Sequence, residues 1–163
     1  MKKPKQIRAL LERTLPYLRN NPERFQLFID EGQVVATNAR SLSFEYRYKL
    51  NVIITDFDQD MASVIVPLLA YLRINQNELF DNPDRRADGI RFECDYINND
   101  TQDFSITLRL TERVKVERQA QQMAVTYLPE PQQDVNGREI AVYLRDEFKM
   151  KITEAEAEAA LAI

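Results

Sequence analysis

A stretch of near-strict alternation, SLSFEYRYKLNVIITDF at residues 41–57, constrains the fold more than any other part of the chain. From Phe44 to Ile54 every second residue is apolar, and the residues between them are polar except for Ile53. Successive strand residues point to opposite faces of a sheet, so this pattern predicts a long strand with one face on a core and the other toward solvent. Aromatic and β-branched side chains suit such a surface.

Two helices are predicted, one before this strand and one after it. Apolar residues between positions 7 and 18 recur at the spacing of one helix face, and Pro16 should divide that helix. The second helix is predicted over the strongly apolar segment 61–72, with Asp58 or Asp60 as its N-cap. An amphipathic helix before the strand and an apolar one after it would both cover the apolar face of a sheet.

The segment before the long strand allows two interpretations. Residues 25–29 and 33–37, separated by Asp-Glu-Gly at 30–32, indicate a tight hairpin in which Gly32 supplies a positive φ. Alternatively, residues 22–25 form a helical turn and a single strand follows.

A second hairpin is predicted after a polar connection at 75–89. Residues 90–96 and 104–110 both alternate, and the second of these strands could continue through Val116. Cys94 lies in phase with the apolar side, so it is interpreted as a small buried hydrophobe and not as a nucleophile.

Beyond residue 118 the pattern is weaker. Residues 124–128 and 140–144 indicate short strands, and Thr153 with Glu156 forms a capping box for a terminal helix. The predicted fold class is therefore α+β: an antiparallel or mixed β-sheet with two main helices packed on it. We assign residues 1–118 to this core and residues 119–163 to a C-terminal extension.

Composition excludes several classes of chemistry. The chain has no histidine, one cysteine and three scattered glycines, which excludes histidine-dependent triads, imidazole zinc sites and phosphate-cradling loops. A net charge of −4 argues against general nucleic-acid binding. Tyr46 and Tyr48 could stack on bases, but they share the apolar phase of the long strand and are interpreted as core residues. We expect no enzymatic activity, cofactor, metal, membrane partner or sequence-specific nucleic-acid partner.

The two ends of the chain carry opposite charge. Residues 1–20 contain six cations and one anion, whereas residues 146–163 contain five anions and two cations. A head-to-tail contact between subunits would use this difference, but two solvated ends explain it equally well.

Several separate segments resemble the tail completion protein R (GpR) family of contractile-tailed temperate phages. They are the block SLSFEYRYKLNVIITDFDQDMASVIVPLLAYLRINQNELF, the INND at 97–100 and the LTER at 110–113. The resemblance covers about residues 10–116, including the NPE at 21–23, and the segments agree in order and spacing. Residues beyond 118 carry no resemblance.

The resemblance implies a structural virion protein that completes the tail and caps the head-proximal end of tube and sheath. It implies assembly in the host bacterial cytoplasm, residence in the virion tail, and contact with tube, sheath and neck proteins. The element order is similar to that of tail terminator proteins, which implies a six-fold ring of identical subunits. The alternatives are a neck or connector protein, and a monomeric regulatory or inhibitor domain.

Two groups of residues are predicted to contact a neighbouring subunit or the tail. The first is the charged face of the long strand, represented by Glu45, Arg47 and Lys49. The second belongs to the C-terminal extension and consists of apolar residues in its predicted strands: Val125, Tyr127, Leu128, Val142 and Leu144.

Overall fold

The protein is described by a computed structural model that covers residues 1–36, 41–97, 100–119 and 122–130, together with the backbone of two strands, residues 140–144 and 147–152. The predicted terminal helix at 153–163 and the loop residues 98–99 lie outside the described residues. Within the described part, no helix is long and apolar enough to cross a membrane.

The helices, in chain order, are α1 (Lys3–Thr14), α2 (Pro16–Asn20), a 3-10 turn (Pro22–Arg24), α3 (Ala62–Asn75), α4 (Glu78–Asp81) and α5 (Pro83–Arg86). Pro16 ends α1 and starts α2, which confirms the predicted division. The N-cap position of α3 is Met61 and not Asp58 or Asp60, although Asp60 Oδ1, one residue earlier, accepts the Ala62 N–H at 2.8 Å. The polar connection at 75–89 contains two short helices that the sequence reading did not anticipate.

The strands are β1 (Phe25–Ala36), β2 (Phe44–Phe57), β3 (Ile90–Tyr96), β4 (Gln102–Gln119), β5 (Gln122–Tyr127), β6 (Ile140–Leu144) and β7 (Glu147–Ile152). The first five form one sheet in the order β1-β2-β4-β3, with β5 also paired to β4, and β6 and β7 form a separate two-stranded sheet. Every pairing is antiparallel, so the fold is α+β with an antiparallel sheet.

The core lies between one face of the sheet and the helices α1, α2 and α3. In β2 the even-numbered residues from Tyr48 to Ile54 are buried, and in β4 those from Phe104 to Leu110 are buried, as the alternation predicts. The helices contribute Ile7, Leu11, Leu18, Val64, Leu68 and Leu72. Each such side chain stabilises the fold by about 1.5–3 kcal/mol through removal from water.

The predicted hairpin at 25–37 is wrong, and its alternative is right. A helical turn at Pro22–Arg24 precedes one continuous strand, β1, whose register against β2 shifts between Asp30 and Gln33. Glu31, with φ of 48°, and not Gly32 adopts the positive φ at this bulge. Asp-Glu-Gly therefore makes a β-bulge where its composition suggested a reversal.

The sheet extends beyond the predicted core boundary at residue 118. β4 continues to Gln119, and β5 pairs with residues 114–119 of β4, so the strand predicted at 124–128 is confirmed. The alternation at 140–144 is also a strand, β6. Its partner β7 was not anticipated. The division of the chain into a core and an extension stays a prediction.

Candidate functional site

β4 has an interruption in its pairing that brings the N-terminus and the segment after β5 together. β4 pairs with β3 through Gln102–Leu108 and with β5 through Val114–Gln119, and Thr111 lies between these two stretches. The Thr111 N–H donates to Gln76 Oε1 at 3.0 Å, and its carbonyl accepts from Lys3 Nζ at 2.7 Å. Side chains thus satisfy the backbone groups that a neighbouring strand would otherwise bind.

Lys3 is the centre of this arrangement. Its ammonium donates to Thr111 O, to Gln76 Oε1 at 2.6 Å and to Glu130 Oε1 at 2.7 Å. An ammonium has three donors, so all of its capacity is used. Lys3 is only 7% exposed and Gln76 is fully buried. We call Lys3, Gln76, Thr111 and Glu130 the Lys3 cluster.

Burial and charge act in opposite directions on Lys3. Burial lowers the pKa of Lys3, and the hydrogen bond and negative charge of Glu130 partly offset that effect. The side chains of Lys3 and Glu130 are 8% and 12% exposed, so little solvent screens their attraction. Removal of either partner would leave a charge in a poorly solvated place.

A second carboxylate, Glu112, lies beside the Lys3 cluster. Glu112 is 4% exposed; its Oε1 accepts from the Tyr48 hydroxyl at 2.5 Å and its Oε2 accepts from the Lys2 N–H at 2.7 Å. A carboxylate at the start of a helix offsets the positive end of the helix dipole, so Glu112 caps α1 from a neighbouring strand. Burial, and then the hydrogen bond to Glu112, raise the pKa of Tyr48.

The first three residues therefore hold the segment that follows β5. The Met1 ammonium donates to the Tyr127 hydroxyl at 3.0 Å, and Lys2 Nζ lies 5.6 Å from the centroid of the Tyr127 ring. Lys3 holds Glu130, the last residue described before β6. The point from which the remaining chain departs is thus fixed to the core.

The chemistry of this region is structural. Each polar group of the Lys3 cluster is engaged with a partner, and no buried side-chain nitrogen or oxygen among the described residues lacks one. In the same residues, no group of three or more His, Cys, Asp or Glu side chains is placed to hold a metal ion. The arrangement can orient a chain segment.

The free edges of the sheet differ in charge. β1 has Asp30 and Glu31 at its bulge, and β3 has a charged residue at every second position (Arg91, Glu93 and Asp95). β5 has no charged residue, although Met123 and Val125 are 57% and 59% exposed. Charges and bulges are the usual means by which edge strands avoid pairing with another chain, and β5 has neither.

The predicted charged face of β2 is paired within the molecule. Arg47 Nε lies 2.6 Å from Glu45 Oε1, and Lys49 Nζ lies 2.6 Å from Glu31 Oε2. The three predicted residues share the outer face of the sheet, on the side away from the helices, and are partly exposed. Exposed ion pairs contribute about 0–1 kcal/mol, so their exchange for intermolecular pairs would cost little.

The apolar residues predicted for the extension fall on two strands. Val125 and Tyr127 lie in β5, and Leu128 follows it, with its N–H donating to Arg113 O at 2.9 Å. Val142 and Leu144 lie in β6, whose side chains are outside the described part of the structure. The two groups belong to different sheets, because β6 pairs with β7 in a separate two-stranded sheet.

Sequence reasoning missed the Lys3 cluster. Lys3 was one of several N-terminal cations, and its partners Gln76, Thr111 and Glu130 lie 73, 108 and 127 residues away. One signal was available: Glu112 follows Leu110 in the apolar phase of β4, where a carboxylate needs a buried partner.

Comparison with known proteins gives one family. The family model of P2 phage tail completion protein R (GpR) matches residues 1–131. Tail completion protein R of Escherichia phage P2 is 40% identical over 131 residues, which cover 80% of this chain and 84% of that protein. No solved structure matches the chain. The match confirms the family resemblance and extends it from about residues 10–116 to residues 1–131, which include all of β1 to β5.

Proposed function

The chain belongs to the P2 phage tail completion protein R (GpR) family, and from that membership we propose that it caps the head-proximal end of the tail tube and sheath and prepares it for head joining. Its role is a structural one in tail completion. In this proposal it acts without catalysis, through contacts with tail components and with further copies of itself.

The edges of the sheet support assembly into a ring. β1 forms one edge, and β3 and β5 pair with the strand at the other side, so the two edges differ. A contact between two unlike edges is heterologous, and repetition of such a contact about an axis closes a ring. We propose six copies, by analogy with tail terminators, because a ring matches the rotational symmetry of a tube end.

The C-terminal extension supplies the second part of the proposal. The observation that carries it is the fixed departure point of the chain at Glu130, held by Lys3. The family match ends next to that point, at residue 131. A segment that begins at a fixed residue and forms its own hairpin, β6–β7, can reach a neighbouring subunit. Val125, Tyr127, Leu128, Val142 and Leu144 are the proposed contact residues.

The charged face of β2 is proposed as a second contact surface, through Glu45, Arg47 and Lys49. Simultaneous Arg47→Glu and Lys49→Glu substitutions should weaken tail assembly while the fold remains intact. If tails assemble normally with the doubly substituted protein, this face is not a contact surface.

Electron microscopy of isolated tails, with the protein carrying a gold-labelled epitope, tests the capping role directly. We expect label at the head-proximal end only. Label at the baseplate, or absence of the protein from virions, would contradict the proposal.

Truncation tests the role of the extension. A chain that ends at residue 131 keeps Glu130 and β5, whereas one that ends at 118 would leave Lys3 without its carboxylate. We expect the 1–131 protein to fold, as judged by circular dichroism, and to yield mostly incomplete tails. Normal tail numbers with the 1–131 protein would remove the segment beyond residue 131 from the mechanism.

A further inference from the structure

Among the described residues, β5 is an edge strand that no charge or bulge protects. Its six residues, QMAVTY, contain no charge, proline or glycine, and in the described part of the structure β5 pairs only with β4. Short uncharged segments rich in β-formers are those that pair readily with another strand. The edge of β5 away from β4 is therefore suited to pairing with another strand.

Backbone geometry shows which residues of β5 would bind that partner. The Leu128 N–H donates to Arg113 O, and in an antiparallel ladder alternate residues point to the same neighbour. Thr126 and Ala124 thus face β4, while the N–H and C=O groups of Val125 and Tyr127 face outward. These outward groups are the docking surface, which we call the β5 edge.

The chain contains a second uncharged strand with an equivalent edge. β6, IAVYL, has no charged residue, whereas β7 has Glu147, Lys149 and Lys151. Lysine at alternate positions discourages further pairing on the β7 side, so the hairpin can add a strand through β6 alone. A two-stranded hairpin is marginally stable without such a partner.

The location of β6 argues for a partner in another subunit. Within one chain, β6 lies beside α3 and outside the five-stranded sheet. The link of nine residues, 131–139, can span at most about 30 Å from Glu130, which Lys3 holds in place. A link of this length leaves β6 free to lie on a second subunit that is in contact with the β5 side.

We propose that β6 of a second copy pairs with the β5 edge and extends the sheet across the subunit boundary. This inference rests on the proposed self-assembly of the protein, and it names the strands that form the contact. The contact joins unlike strands, so each subunit gives one β6 and receives another around a closed ring.

Val125→Pro tests the β5 edge. Proline removes an N–H that faces outward, so pairing with β4 is retained. An added strand would lose a hydrogen bond and would clash with the pyrrolidine ring of the proline. We expect near-normal thermal unfolding and association at least about tenfold weaker, measured by sedimentation, since 1.4 kcal/mol corresponds to a factor of ten. Association equal to that of the parent protein would overturn the proposal.

Thr126→Pro is the matched control. Its N–H faces β4, so this substitution should lower the melting temperature, which Val125→Pro should not. Should Val125→Pro itself unfold the protein, Val125→Lys replaces it, because lysine blocks strand addition without removal of any backbone donor.

Thiol crosslinking distinguishes a second copy from the chain's own arm. In a Cys94→Ala background, Val125→Cys and Val142→Cys are placed on separate chains, mixed at high concentration or co-assembled in tails, and treated with a short bis-maleimide. We expect a crosslinked dimer only when both variants are present. A crosslink that forms only within single chains that carry both cysteines would place β6 on the β5 edge of its own chain, and this result overturns the proposal. The absence of a crosslink both in the mixture and in the co-assembled tails overturns it as well. A crosslinked protein that is absent from tail ends would contradict the capping role alone.

Discussion

β3 and β5 pair with different stretches of the same strand, yet they are held and protected differently. β3 is protected by alternating charge, and its entry is fixed by the Gly89 carbonyl, which accepts the Arg109 N–H at 2.9 Å. β5 has no charge and is fixed by the Lys3 cluster and the N-terminal residues. The comparison teaches that charge protects the edge of β3, whereas β5, the uncharged edge strand, is the one that buried polar contacts hold in place.

The largest effect is expected from Lys3→Met, which breaks the attachment of β5. The substitution leaves the Glu130 carboxylate and the Thr111 carbonyl without their donor, and removal of one partner of a buried ion pair costs about 3–5 kcal/mol. Chemical denaturation should show this loss. Amide exchange should rise more at Leu128 than at Arg109.

Lys5→Met is the control on the same helix. Lys5 is exposed, so its substitution should change the free energy of unfolding by no more than about 0.5 kcal/mol. Equal losses from the two substitutions would mean that the Lys3 cluster does not stabilise the β5 side.

Gly89→Ala should break the attachment of β3. A Cβ at this position would lie 2.5 Å from the Arg85 carbonyl oxygen and 2.6 Å from Leu79 Cδ2, so backbone must shift. Overpacking of this kind costs about 1–3 kcal/mol. Amide exchange should now rise more at Arg109 than at Leu128, the reverse of the Lys3→Met result. The same order of exchange in both variants would show that the two attachments are not separate.

The elements that the sequence predicts well depend on local patterns. β2 and α1 have strong periodicity and α3 is a long apolar run, and the packing of all three onto one core favours the same structure. β1 was uncertain because Asp-Glu-Gly at 30–32 is turn-like, and only the pairing partner β2 decides between a reversal and a bulge.

The candidate site was predictable in part. The strand pattern at 124–128 was enough to name Val125, which is 59% exposed, and Tyr127, which is partly buried, as contact candidates. The Lys3 cluster could not, since it joins four elements that are distant in sequence, and no local pattern shows which of many lysines is buried. Only the placement of α1 beside the unpaired stretch of β4 makes Lys3 different from Lys5.

Alkaline pH should weaken the β5 side through Tyr48. Burial and the bond to Glu112 raise the pKa of Tyr48 above its ordinary value of 10.0. Its contribution to stability is complete below pH 10 and is lost above that, at up to about 1.4 kcal/mol per pH unit. Burial also raises the pKa of Tyr71, which adds to this loss of stability as the pH rises. Burial lowers the pKa of Lys3, so Lys3 has the opposite effect on stability below pH 10.5.

Tyr48→Phe should therefore reduce the loss of stability between pH 10 and 11, measured by denaturation at several pH values. Tyr96→Phe, which removes a hydroxyl from a side chain that is 79% exposed, is the control on the β3 side. A slope that is the same in both variants would contradict the role of Tyr48.

The smallest effect on stability, and the sharpest on assembly, is expected from a lysine placed on each edge strand. Phe92 of β3 and Val125 of β5 are 60% and 59% exposed and both follow the apolar phase of their strands, so they form a matched pair. Phe92→Lys and Val125→Lys should each change the free energy of unfolding by no more than about 0.5 kcal/mol. Light scattering should nevertheless show that only Val125→Lys prevents association, because β3 already carries the charges that keep an edge unpaired. Loss of association in both variants would mean that the two edges are equivalent, and its loss in Phe92→Lys alone would move the contact to β3.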